Sequence, residues 1–203
     1  MTKTERNTIE PMTFRERVLL WRKELEDSIK LDASEISPNT GDATSEEADN
    51  NEQQVEQTEK LEELVDECIK VAKENSEHPN TVECDDKEWE RAEQDEYEKN
   101  RKDFADKTKK DELIKAWEQK NGKEWPRYEK DVYSKSGKLI RKAGGRYDAH
   151  HIRPLRQGGK NEVGNITPMH AEKHYDKQGI HAKDGPYDKV DEHLKGANKN
   201  EAS

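Results

Sequence analysis

Between Tyr147 and His181 the chain reads YDAHHIRPLRQGGKNEVGNITPMHAEKHYDKQGIH, and five of its seven histidines fall within these 35 residues. The punctuation of this stretch leaves few ways to fold it. Tyr147 to Ile152 reads as a short strand closed by Pro154, which cannot continue a ladder. Arg156-Gln157-Gly158-Gly159-Lys160-Asn161 is a turn-rich loop, and Asn165-Ile166-Thr167 is a second short strand. Thr167-Pro168 then offers a hydroxyl cap and a proline at the first helical position, which predicts a helix to about Lys177 with Gly179 just beyond its end.

That order of elements gives the histidines different roles. Strand alternation sends His150 and His151 to opposite faces, so two adjacent imidazoles read as two functions. His170 and His174 stand four apart on the predicted helix, the spacing at which two imidazoles share one metal ion. With His150 opposite them, three neutral imidazoles form an open three-ligand site with room for water or a phosphate oxygen. His151 is left over as a base, since imidazole with a pKa near 6.5 is largely unprotonated at neutrality.

Composition confines this chemistry to one part of the chain. Only 28% of the residues are hydrophobic and 41% are charged, too lean for a core that spans all 203 residues. The net charge of -10 hides a split: residues 1–100 carry 13 Lys+Arg against 30 Asp+Glu, whereas residues 101–203 carry 24 against 17. The basic half, which holds all five clustered histidines, suits a polyanion, and the acidic half would repel one or mask its partner. Cys68 and Cys84 lack metal-ligand spacing and read as reduced structural thiols. No h-region opens the chain and no apolar run approaches a membrane span, so the expectation is a soluble protein without a signal peptide or membrane insertion, cytoplasmic or exported by a non-Sec route.

Taken in order, residues 1–31 read as an amphipathic helical segment, with Phe14, Val18, Trp21, Leu25 and Ile29 at helical spacing and Thr13 with Glu16 as a capping box. Residues 32–56 read as a flexible acidic linker, and 57–110 as a charged helical region that includes a helix from Leu61 to about Asn75. No Pro or Gly interrupts 86–121, which predicts a long or once-broken helix. Residues 111–190 form the expected compact domain, followed by a polar tail at 191–203. The fold class expected is α+β, with a small C-terminal domain behind a mainly helical, partly disordered acidic region.

GGRYDAHH, PLRQGG and GNITPMHAEKH, from Gly144 to His174, resemble in order and nearly in spacing the HNH, or ββα-metal, His-Me finger endonuclease superfamily. Specifically, they resemble its bacterial toxin branch, which includes DNase-type colicins and S-type pyocins. WEQKNGKEWP and QGIHAKDGP look like flanks of HNH domains in polymorphic toxins. The resemblance implies His151 as general base, His150, His170 and His174 as metal ligands, and Asn165 as the residue that holds the loop and helps to orient His151. It implies a phosphate role for Arg146 and a supporting one for Asp148. His181 matches nothing in the colicin pattern.

The function implied is metal-dependent hydrolysis of DNA phosphodiester bonds, with RNA left open by the residues themselves, and 5′-phosphate products. One divalent ion, Zn, Ni, Mg or Mn, would serve as cofactor. Arg153, Arg156 and Lys160 join Arg146 as candidates for backbone contacts. The toxin branch implies an immunity protein as inhibitor. The competing reading is a non-catalytic zinc-stabilised module that binds nucleic acid or protein, which would have no need of His151.

Overall fold

The computed structural model describes residues 44–83, 89–175 and 179–200, with side chains from 53 to 196 among them, and the single helical position Lys23. The amphipathic segment predicted around Phe14 to Ile29 and the cysteine Cys84 lie outside the described residues. The chain divides into two units, residues 1–57 with 86–88, and residues 58–85 with 89–203. The second unit is a mixture of helices and two small antiparallel sheets, an α+β arrangement.

Helix α1 spans Thr44–Asn75 and so begins inside the stretch 32–56 that composition marks as linker. Glu, Gln and Ala outnumber the helix-averse Asn pair there, and helix propensity prevails over low hydrophobicity. Helices α2 (Gln94–Ala105) and α3 (Lys107–Asn121) divide the predicted long helix at Asp106. The Asp106 carboxylate accepts the Thr108 and Lys109 backbone N–H groups at 2.8 and 3.1 Å and caps α3. Gly122, at φ 60°, ends α3 in the left-handed region.

Strands β1 (Val132–Tyr133) and β2 (Leu139–Arg141) form one antiparallel pair. Strands β3 (Asp148–His151) and β4 (Ile166–Met169) form the other, with Asp148 opposite Met169, Ala149 opposite Pro168, His150 opposite Thr167 and His151 opposite Ile166. The predicted helix start at Thr167-Pro168 is therefore strand, and α4 occupies only Ala171–Tyr175. Helix α5 (Pro186–Asn200) runs through most of the stretch read as a polar tail, and its Leu194 is buried.

The β3–β4 pair is covered on both faces, which explains why every residue of β4 is buried. On one face Ile152 and Met169 join Leu64, Cys68, Ile69 and Ala72 of α1, Val82, Trp89, and Tyr187, Val190 and Leu194 of α5. On the other, Ala149 and Ile166 meet Ile114 and Trp117 of α3, with Trp125. The core thus reaches back well before residue 111, because the apolar stripe of α1 is the cover of one sheet face. Trp89, ahead of α2, is only 3% exposed. Ser76, directly after α1, holds that helix to the sheet: its hydroxyl meets that of Thr167 at 2.5 Å, and the next N–H, of Glu77, donates to the Pro168 carbonyl at 3.0 Å. No described helix is long and apolar enough to cross a membrane.

Trp117 and Trp125 meet edge to face at 5.0 Å, yet their indole nitrogens differ. Trp125 donates to the Tyr147 carbonyl at 3.0 Å, whereas the Trp117 N–H has no partner among the described residues. Truncating Trp117 to Ala is expected to cost about 3–5 kcal/mol in urea unfolding. Trp125→Phe should cost more than Trp117→Phe, since only the former breaks a hydrogen bond and leaves a carbonyl unpaired.

Candidate metal centre and the neighbouring histidine

Alternation along β3 separates the two adjacent histidines. His150 shares its face with Ile152 and is 1% exposed, while His151 turns to the other face, where its ring lies 4.3 Å from that of Phe104 on α2. Each has its tautomer fixed by a neighbour. The Tyr187 hydroxyl on α5 donates to the Ile152 carbonyl at 2.8 Å, so it can only accept at its other contact, with His150 Nε2 at 3.2 Å. His150 therefore carries its proton on Nε2 and keeps a lone pair on Nδ1.

That lone pair points at His174, whose Nε2 lies 3.3 Å from His150 Nδ1. The other ring nitrogen of His174 faces the Asp148 carboxylate at 3.8 Å, long for a hydrogen bond, and both of these buried atoms lack any closer partner among the described residues. Asp148 is held on its other oxygen by Arg141, at 2.6 and 2.9 Å. Burial works to raise the Asp148 pKa, but pairing with His174 and Arg141 outweighs it and keeps the carboxyl below its usual range. An ionised Asp148 favours the proton on His174 Nδ1, the tautomer that turns the Nε2 lone pair towards that of His150; in the other tautomer His174 Nε2–H donates to His150 Nδ1. Two lone pairs so opposed repel each other unless a cation lies between them, and a carboxylate behind a ligating histidine is a common support for such a site.

His181 completes the group: ligand atoms of His150, His174 and His181 all lie within 4.8 Å of one another, close enough to bind one metal ion. Its residue is exposed, but its ring packs between those of His150, His174 and Tyr187 at 5.1 to 5.6 Å. The buried neighbour Ile180 anchors it, and Ile180 N–H donates back to the Lys173 carbonyl at 2.8 Å. Burial pushes the His150 pKa well below its ordinary value, and it pushes those of His151 and His181 to about 4. All three are thus neutral, the form a metal ligand or a base requires.

His170, expected among the ligands, stands elsewhere. Strand β4 runs to Met169, so His170 sits at the junction before α4, where its Nδ1 accepts the Glu172 N–H at 3.3 Å and its ring packs on Tyr128 and Tyr147. It acts there as a cap, and its i,i+4 relation to His174 does not bring the two rings together.

Asn165 is a clamp. Its Oδ1 accepts the Arg153 N–H at 2.7 Å, and its Nδ2 donates to the carbonyls of Arg153 and Lys160, both at 2.9 Å. The loop between Arg153 and Lys160 is cinched at both ends, and Gly158-Gly159 lets it wrap the Arg153 side chain; a Cβ on Gly159 would overlap the Arg153 carbonyl oxygen. This places Asn161, whose Nδ2 donates to the Asn100 carbonyl at 2.8 Å. Its Oδ1 must then accept from His151 Nε2, at 2.9 Å, so the free lone pair of His151 is on Nδ1.

The expected phosphate contacts are dispersed. Arg146 pairs with Asp111 at 2.5 Å. Arg153 is 4% exposed and donates through Nε to the Gln157 carbonyl at 2.6 Å, a structural use. Arg156 lies over the Tyr97 ring at 5.0 Å, and the Lys160 ammonium is exposed 3.6 Å from Glu96. Tyr187 and Asn161 carry the two tautomers and have no signature in the sequence; Tyr187 is remote in the chain, and Asn161 resembles any loop asparagine.

No family model and no solved structure matches the chain. Among curated proteins, 91 of its residues, 44% of the chain, are 39% identical to Toxin YxiD of Bacillus subtilis (strain 168), and the match spans 15% of that protein's length. The chain is therefore similar to a small part of a protein named as a toxin.

Proposed function

We propose that the chain is a metal-dependent endonuclease of the HNH type, acting on DNA as a bacterial toxin effector. The observation that carries this reading is the convergence of ring nitrogens of His150, His174 and His181 within 4.8 Å of one another, with the fixed lone pair of His150 turned towards His174, next to His151, whose own tautomer is fixed separately. The toxin name of the similar protein is consistent with it.

In this reading His150, His174 and His181 hold one divalent ion, a nitrogen donor set that suits Zn or Ni in affinity. When bound, such an ion stabilises charge on a phosphate and on a leaving 3′ oxygen. His151 Nδ1 takes the proton of the attacking water, while Asn161 holds Nε2–H and so keeps Nδ1 unprotonated. Phe104 packs the other side of the ring and limits its rotation. Asn165 acts at one remove, by cinching the loop that carries Asn161. An immunity protein as inhibitor belongs to the same reading. The alternative, a zinc-stabilised binding module without cleavage, draws on the packing of the His151 ring between Phe104 and Asn161.

Purified protein is expected to nick plasmid DNA with a divalent ion, and His151→Ala to lower the rate at least about 10²-fold while zinc affinity by calorimetry stays the same. Undiminished nicking in that variant removes the base from His151; no nicking in Mg, Mn, Zn or Ni favours the binding module.

The ligand set is separable by thermal unfolding. Zinc at 100 times its Kd should stabilise the protein by about 2.7 kcal/mol. That gain should vanish in His174→Ala, shrink in His181→Ala and persist in His170→Ala; loss in His170→Ala with retention in His181→Ala would restore the helical pair.

Metal-free protein should also lose stability in acid. His151 binds a proton near pH 6.5 when unfolded but only near pH 4 when folded, so its contribution is complete above about pH 6.5 and fades as pH falls towards 4. Between pH 7 and pH 5 this amounts to about 2 kcal/mol from His151 alone, read as a falling urea midpoint. A flat midpoint over that range would mean the ring is not desolvated in the fold.

A further inference from the structure

A cavity of about 320 Å³ opens between α2, the first turns of α3 and the loop that precedes β4. Phe104 and Asn161, the two residues that hold the His151 ring, are both part of its wall. The cavity is therefore continuous with the supports of His151.

Its charge is lopsided. Lys99, Lys109, Lys110 and Lys160 line it against Asp103 and Glu162. Lys109 is committed to Asp103 at 2.6 Å, and Lys160 lies 3.6 Å from Glu96. Lys110 is different. Its ammonium lies 4.2 Å from the centre of the Phe104 ring, and it has no ion pair or hydrogen bond among the described residues. Burial lowers its pKa, and the Asp148 and Asp111 carboxylates, to which it makes no bond among the described residues, offset this only in part. A partly buried ammonium in that position gains from any anion that enters.

Size narrows the anion. A space of 320 Å³ is within the range of pockets that enclose a small organic ligand and much larger than one water or one phosphate needs. A chain of phosphodiesters fills it better than an isolated ion, with one phosphate at Lys110 and the next reaching the rim lysines.

We propose that this cavity binds a nucleic-acid phosphodiester that flanks the one cleaved, with Lys110 as its principal cation and Lys99 and Lys160 at the rim. The proposal rests on the nuclease reading of His151 for its substrate class, but its geometry does not depend on cleavage. Of the four arginine and lysine contacts expected from sequence, only Lys160 belongs to this surface; the principal cation lies on α3, far from the histidine motif in the chain.

The test is binding without turnover. Full-length His151→Ala protein, free of metal, is titrated with a fluorescein-labelled single-stranded DNA oligonucleotide by anisotropy at about 50 to 200 mM salt. Adding Lys110→Met should weaken binding about tenfold and flatten the logarithmic salt slope by about 0.7, whereas Lys110→Arg should keep most of the affinity. Thermal melts of each variant establish that the fold is intact. Unchanged affinity and slope in Lys110→Met would overturn the proposal, and so would an equal loss in Lys123→Met, which lies outside this cavity. Displacement of the oligonucleotide by equimolar inorganic phosphate would also overturn it. Binding that depends on Lys110 in a protein whose wild type never nicks plasmid upholds the subsite and removes the nuclease reading. Nicking with binding indifferent to Lys110 does the reverse.

Discussion

Four residue pairs between β3 and β4 carry the second unit of the chain. The ladder is short, and a two-stranded ribbon alone is marginal in water, so its persistence comes from cover on both faces. One face is closed by α1 and α5, the other by α3 with Trp125. Period-two alternation makes the ladder a sorting device. Positions 148, 150 and 152 go to the first face and positions 149 and 151 to the second. A slip of one residue would exchange His150 with His151 and drive Ile152 out of its cluster, so core packing and site chemistry enforce the same register.

This sorting gives two imidazoles with one sequence context different neighbours. His150 is turned towards other histidines, with Tyr187 behind it fixing which nitrogen is free. His151 is turned towards a phenylalanine, an asparagine and a lysine, with no second histidine ring in contact among the described residues. The first arrangement gathers lone pairs, and the second isolates one. In both, the deciding partner is itself committed elsewhere, Tyr187 to the Ile152 carbonyl and Asn161 to that of Asn100, and this commitment is what makes each assignment unambiguous.

The strand alternation of the histidine pair was readable from the residues because periodicity is local, and so was the end of α1 at the turn after Asn75. The role of Asn165 was readable only as a likeness, and its three hydrogen bonds supply the mechanism. What local reasoning could not provide was where β4 ends. Thr167-Pro168 is a good helix start, but a ladder partner at Ala149 has no use for a proline N–H that does not exist, and tertiary pairing extends the strand by two residues beyond that signal. The shift moves His170 from helix face to helix cap, and it leaves the third imidazole position to His181, which is brought in by the burial of Ile180. Neither Ile180 nor Tyr187 has a spacing that announces it.

The acidic half looks separable by composition, yet packing contradicts that for its second part. Residues 58–100 are acidic because the exposed faces of their helices are, while Leu64, Cys68, Ile69, Ala72, Val82 and Trp89 face the other way and are buried in the first cluster. Sparse apolar residues at helical spacing are sufficient to cover one face of a two-stranded sheet. Deleting residues 1–100 would remove that cover and the Ser76–Thr167 contact with it, so greater DNA affinity in such a fragment could reflect an opened sheet as well as a removed negative field. Neutralising the exposed side of α1, with its buried stripe intact, separates the two effects: if the chain binds DNA as proposed and the acidic face repels or masks, Glu63→Gln with Glu67→Gln should strengthen that binding at low salt, with the difference disappearing as salt screens it.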